Sequence, residues 1–133
     1  MNEGFATFVV AAVKDFRAKR GVGVDLKPER IREANAKAKA AGVEDKVEFR
    51  KGNVLDVKDL DKATVVVLYL SDELNSQLRP ILQEQLKPGA RIVSHRFIMG
   101  DWKPEKEATV EGTNDGAYFS RKLFLWTVPQ RGR

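Results

Sequence analysis

The residues with the clearest chemical potential lie in GVGVDLKPERIREANAKAKAAGVEDKVEFRKGN, residues 21–53, where two strand-like runs each end on a polar side chain. Asp25 follows the short β-branched GVGV run, and Asn53 closes KVEFRKGN. A carboxylate offers paired acceptors at the separation of two neighbouring hydroxyls, so Asp25 at a strand end of a nucleotide-binding sheet is suited to a ribose. The alternative is a plain capping role at the start of the helix that follows. Gly21 and Gly23 precede Asp25 inside the strand and no third glycine opens a helix, so they do not form a phosphate-cradling loop.

These side chains need elements to hold them. Pro28 suits a first helical turn, Glu29 favours the positive end of a helix dipole, and Ile31, Ala34, Ala38 and Ala41 recur at helical spacing as far as Gly42. Strand, crossover helix and strand predict a right-handed parallel unit, whose ligands sit outside the carboxyl ends of its strands. Upstream, residues 5–18 predict a helix with Phe5, Phe8, Val9, Ala12, Val13 and Phe16 on one apolar stripe. Downstream, ATVVVLYL predicts a buried strand. Residues 71–86 then predict a helix capped by Ser71 or Asp72, with Leu74, Leu78, Ile81, Leu82 and Leu86 turned inward and a kink at Pro80. KPGARIVSH supplies a Pro-Gly turn and another strand, and residues 106–128 predict an antiparallel hairpin around Asn114, Asp115 and Gly116.

The 133 residues suit a single domain, 1–133, with one core. The absence of cysteine removes disulfides and thiolate chemistry, and with His95 the sole histidine no metal site is expected. The net charge of +5 is spread along helices and loops, as on solvated faces, so nucleic acid is not the expected partner. The apolar run from Phe5 to Val13 is too short to span a bilayer, and its lead-in carries Glu3 without Lys or Arg. No membrane or secretory role follows, and a cytoplasmic location is expected.

GVGVDLKPERIREANAKAKAAGV, VEFRKGNVLDV, ATVVVLYLSDELNSQLRPILQEQLKPGARIVSH and FIMGDWKP together resemble the class I S-adenosylmethionine-dependent methyltransferases. Within that class they are most similar to the small archaeal and bacterial protein-lysine methyltransferase-like group. The similarity covers roughly residues 8–128, and KPGxRIVSHxF with the following GDWKP carries its most specific part. The resemblance implies an α/β fold with a Rossmann-like, mostly parallel sheet completed by a C-terminal antiparallel hairpin. S-adenosyl-L-methionine is the implied cofactor. Gly4, Asp25, Leu26, Asn53 and Val54 fall at cofactor-binding positions, with Asp25 on the ribose and Asn53 and Val54 flanking the adenine. The family's usual residue at position 53 is Asp; Asn keeps an acceptor and loses the charge, and a simple Gly52-Asn53 turn is the alternative. Tyr69 occupies roughly the place where family members hold an amine substrate, so Tyr69, Ser71 and Asn75, with Asp72 and Glu73, are acceptor-site candidates. Surface capping is the other explanation for Asp72 and Glu73. His95 has the chemistry of a base near neutral pH, or is an ordinary hydrogen-bonded residue. Trp102 covers part of the site or acts as a lid on the core.

In the family a strand and an acid-x-Gly-x-Gly-x-Gly turn precede the first helix, so the resemblance implies an N-terminally truncated sheet. The absent strand belongs between the strands at 21–26 and 63–70, and without it both present open edges that can template another chain. Four remedies are open: direct pairing of those strands, recruitment of residues 4–10 as a strand, a homo-oligomer or strand exchange, and a natural start further upstream. Two functional classes follow. One is a methyltransferase acting on a protein lysine amine by direct in-line displacement. The other is a degenerate, non-catalytic module working through self-association or partner binding.

Overall fold

The computed structural model describes residues 4–15 and 17–130. The chain divides into two compact units, Met1–Val57 and Lys58–Arg133.

The first unit runs α1 (Gly4–Lys14), β1 (Gly21–Asp25), α2 (Pro28–Ala40) and β2 (Val47–Lys51), and then a 3-10 turn at Val54–Asp56. Residues 4–10 are therefore helical, which overturns their recruitment as a strand. The physical reason is spacing. Val9 and Val13, one helical turn apart, both lie against Gly21, while Val10 and Val13 enter a core with Ala34, Ala38, Val43 and Phe49. The helix stops at Lys14, earlier than the apolar stripe predicts. Phe16 and the side chains of Phe5 and Phe8 lie outside the described residues.

A Cβ on Gly21 would sit 2.6 Å from Val9 Cγ1 and 3.4 Å from the Val9 carbonyl oxygen. Glycine at this point lets α1 lie directly on the strand. The small Ala34 and Ala38, both essentially inaccessible, do the same for α2. Pro28 opens α2 and Gly42, at φ +75°, follows its end. β1 and β2 pair in parallel, in register from Gly21↔Val47 to Asp25↔Lys51, so the predicted strand-helix-strand unit forms as expected.

The second unit contains a 3-10 turn at Leu60–Lys62, then β3 (Val65–Leu68), α3 (Asp72–Gln85), β4 (Arg91–His95), β5 (Lys106–Asn114) and β6 (Ala117–Thr127). Its strands form one sheet in the order β3-β4-β6-β5, with β3 parallel to β4 and the remaining pairs antiparallel. Among the described strands β1 and β3 belong to different sheets, which does not bear out their direct pairing. Ser71 Oγ accepts the Leu74 N–H and caps α3, which continues through Pro80 to Gln85. The hairpin turns on Asp115 (φ 54°) and Gly116 (φ 80°), the pair of left-handed residues that a two-residue type I′ connection requires.

Strand alternation sorts this sheet into two faces. Leu68, Ile92, Ser94, Phe124 and Trp126 share one face by register, and all are buried. α3 is fixed to that face, since Asn75 Nδ2 donates to Ser94 Oγ at 3.0 Å. Val65, Val67, Val93, Leu123 and Leu125 have the opposite parity and are half-buried or exposed. Trp102 serves the fold: its carbonyl accepts from Trp126 Nε1 at 2.8 Å, its ring lies against Trp126, and Met99 pairs with it across a tight turn. No helix among the described residues is long and apolar enough to cross a membrane.

Candidate active site

The first unit gathers the residues expected to face the adenosine. The parallel register sets Asp25 opposite Lys51, and Gly52 N–H donates to the Asp25 carbonyl at 2.9 Å, so Asp25, Leu26, Asn53 and Val54 converge at the carboxyl ends of adjacent strands. Asp25 Oδ1 accepts the Lys27 N–H at 2.9 Å, and Oδ2 faces Arg30 Nη1 at 3.5 Å. The carboxylate is only 17% exposed. Asp25 is not the cap of α2, since Lys27 holds that place without a side-chain bond, and Asp25 closes the turn before it. Each oxygen carries two lone pairs and has one such contact among the described residues, which leaves room for a ligand. The chemistry of the site therefore fits a ribose diol.

Asn53 Oδ1 accepts the Leu55 N–H at 2.9 Å and fixes the 3-10 turn that carries Val54. The amide is exposed, Val54 is half-buried, and Leu26 is 65% exposed. An apolar side chain left open beside a polar cradle is what a flat aromatic ring would cover. Gly4 is the first residue of α1. A depression lined by Val13, Lys14, Arg17, Ala18, Lys19 and Lys46 lies at the other, amino ends of the two strands, away from this cluster.

The second unit gathers the acceptor candidates unevenly. Tyr69 follows β3 and stacks on His95, ring centroids 4.6 Å apart. Burial pushes the Tyr69 phenol above its ordinary value, opposed by the charge of Arg121 and its hydrogen bond to the phenol. Burial also pushes the His95 imidazole down, and the charges of Arg121 and Arg96 push it the same way. His95 Nε2 is buried and has no hydrogen-bond partner among the described residues, as suits a neutral ring. Ser71 spends its hydroxyl on the helix cap. Asn75 stands apart from the group. It is fully buried, and its amide nitrogen reaches Ser94 Oγ, the Phe97 carbonyl at 3.2 Å and the Ile98 carbonyl at 3.3 Å, which makes it a tie inside the unit. Arg121 is the residue that sequence reading missed. Its signal was the alternation Phe119, Arg121, Leu123, Leu125, which puts it on the face of Tyr69 and His95.

A parallel β-α-β unit with an acid and an amide at its strand ends, followed by a parallel pair and an antiparallel hairpin, is the architecture of a Rossmann-like S-adenosylmethionine-dependent methyltransferase. The family profile described as the ANTKMT methyltransferase domain matches residues 3–106, and the chain belongs to that family. A protein-lysine N-methyltransferase of Saccharolobus islandicus is 41% identical over 125 residues, 94% of this chain and 74% of the relative. An RNA methyltransferase from Salinibacter ruber, crystallised with S-adenosyl-L-homocysteine, is 42% identical with a TM-score of 0.80, over 96% of this chain and 76% of that one. The tRNA methyltransferase TrmK of B. subtilis, 14% identical with a TM-score of 0.74 over 94% of this chain and 56% of its own, shares the fold. The protein is thus a methyltransferase whose cofactor is S-adenosyl-L-methionine.

Proposed function

We propose that the chain transfers a methyl group to a lysine amine of a protein. The observation that carries this reading is the convergence of Asp25 and Asn53 on neighbouring parallel strand ends, in a chain 41% identical over 125 residues to a protein-lysine N-methyltransferase. Asp25 holds the ribose hydroxyls with its remaining lone pairs. Asn53 and Val54 hold the adenine, one by polar contact and the other by packing, with Leu26 and Gly4 completing the cofactor-binding set. When bound, S-adenosylmethionine supplies an electrophilic methyl, so the new N–C bond forms as the S–C bond breaks and the ammonium proton goes to solvent.

The amine must be neutral to attack, and a free lysine is protonated near neutral pH. Tyr69 lies beside His95 and Arg121, whose positive charge disfavours an ammonium nearby and so raises the share of neutral amine. Tyr69 offers that amine a ring edge and a hydroxyl, and Ser71 is the next polar group along the chain. Asn75 supports them by fixing α3 to the sheet. Orientation of the amine is then the main contribution of these residues.

The test is calorimetric titration with S-adenosylmethionine, followed by mass spectrometry of lysine-containing protein acceptors incubated with the enzyme and cofactor. Binding together with a gain of one or more methyl masses on lysine is expected. Binding without any lysine methylation would remove the lysine assignment, and absence of binding would favour the non-catalytic module.

A further inference from the structure

The face of the second unit's sheet that carries Tyr69 and His95 has a lopsided charge distribution. By register it bears Arg91 on β4, Lys106 on β5 and Arg121 on β6, all exposed. No Asp or Glu of β3–β6 has that parity: both strand carboxylates, Glu107 and Glu111, lie on the other face. There Glu107 pairs with Lys122 at 3.6 Å and Glu111 accepts from the Tyr118 hydroxyl at 2.9 Å. The carboxylate-free face is also apolar. Val65, Val67 and Val110 are 45%, 39% and 45% exposed, with Val93, Leu123 and Leu125 half-buried between them. Arg121 is held over the Phe119 ring at 5.2 Å, and that ring covers Gly112, so the cation stands on a fixed platform.

We propose that this face docks an acidic, amphipathic segment of the methyl-accepting protein, its apolar side on the valines and its carboxylates on Arg91, Lys106 and Arg121. The inference rests on the protein-lysine reading. Aliphatic side chains make up the apolar part of the face, exposed on the two edge strands and half-buried on β4 and β6 between them, which suits leucine-like packing; a single-stranded RNA would need open aromatic faces, and Tyr69 and His95 already stack on each other. Like charges around the dock exclude basic segments, so the face selects as well as binds.

The probe is a synthetic helical peptide with leucines on one side, glutamates on the other and a single lysine, set against the same peptide with every glutamate replaced by glutamine. Binding by calorimetry and methylation by mass spectrometry are read with wild type, with the dock variant Lys106→Glu, and with Lys122→Glu on the opposite face. The acidic peptide should bind wild type about tenfold tighter than the glutamine peptide, with the advantage fading as salt rises. Lys106→Glu should raise KM for the acidic peptide about fivefold or more at unchanged kcat, whereas Lys122→Glu should leave it within about twofold. Circular dichroism and a melting curve identify any variant that has lost its fold, and Arg91→Glu then serves in place of Lys106→Glu. Equal methylation of both peptides, or equal effects of the two reversals, overturns the dock while leaving lysine methylation standing. Failure of any protein lysine to accept methyl overturns both. An oligoribonucleotide that binds wild type and is lost in Lys106→Glu, with no acidic-peptide binding, would assign the face to RNA instead.

Discussion

The proposed function gives the one carboxylate of Asp25 two jobs. Oδ1 accepts the Lys27 N–H in the turn before the crossover helix, and the remaining lone pairs are left for the ribose. Asp25→Asn keeps one acceptor for that N–H but loses the charge and the matched pair. It should weaken S-adenosylmethionine binding by about tenfold in calorimetry, with little change in melting temperature. Asp25→Ala removes the turn bond to the Lys27 N–H as well, so it should also cost about 1 kcal/mol of stability. An unchanged dissociation constant in both variants would take the ribose role away from Asp25. His95 offers a second measurement at this scale, because it is the only histidine and gives one proton-NMR titration curve. Its midpoint should fall below the ordinary 6.5, burial being the main cause. Arg121→Gln should move it partway back up. The sign for stability follows by linkage. The unfolded ring binds a proton below 6.5 that the folded ring refuses, so this contribution is complete above 6.5 and is lost as pH falls through that window. A His95→Gln variant should show a shallower loss over the same range, and identical slopes would mean that the ring is not depressed.

Elements were legible in the sequence where their local signals agreed with one another. The crossover unit had a helix-opening proline, a closing glycine and alanines at helical spacing, and it formed within a residue or two of the expected bounds. The turn at Asp115 and Gly116 was equally plain. Residues 4–10 were ambiguous, because Phe8, Val9 and Val10 suit either a strand or a helix. What decided the matter was contact with Gly21, a tertiary fact that no local pattern contains. The tie made by Asn75 was hidden for the same reason: its three acceptors come from Ser94, Phe97 and Ile98, about twenty residues away in sequence. Both points can be tested on stability. Gly21→Ala forces a methyl into Val9 and should cost about 1–3 kcal/mol in urea unfolding. Asn75→Ala leaves a buried hydroxyl and two carbonyls without their donor and should cost about 2–3 kcal/mol. A neutral Gly21→Ala would mean that α1 moves off β1 without penalty.

For the whole molecule, the question the sequence raised is what becomes of the open strand edges. β1 pairs only with β2 in a two-stranded sheet, and β3 ends a four-stranded one, so neither edge is closed among the described strands. Val22, Val65 and Val67 are each about two-fifths exposed along these strands. Parallel strands are usually covered on both faces, and an apolar edge of this kind recruits a neighbour. The net charge of +5 opposes association only weakly at ordinary salt, because repulsion between charges more than about 8–10 Å apart is screened. Pairing of a second copy on the β3 edge is a proposal to be tested, and it would compete with the acidic segment for Val65 and Val67. Sedimentation velocity over a concentration series should show the average mass rising with concentration. Val65→Lys combined with Val67→Lys places two charges on that edge without touching the buried Leu68, Ile92 and Trp126 on the other face. The pair should weaken self-association about tenfold or more, equivalent to about 1.4 kcal/mol, while the melting temperature stays close to that of wild type. A wild-type chain that stays monomeric at every concentration, or a double variant that associates as strongly, would show that the β3 edge is not the surface on which copies meet.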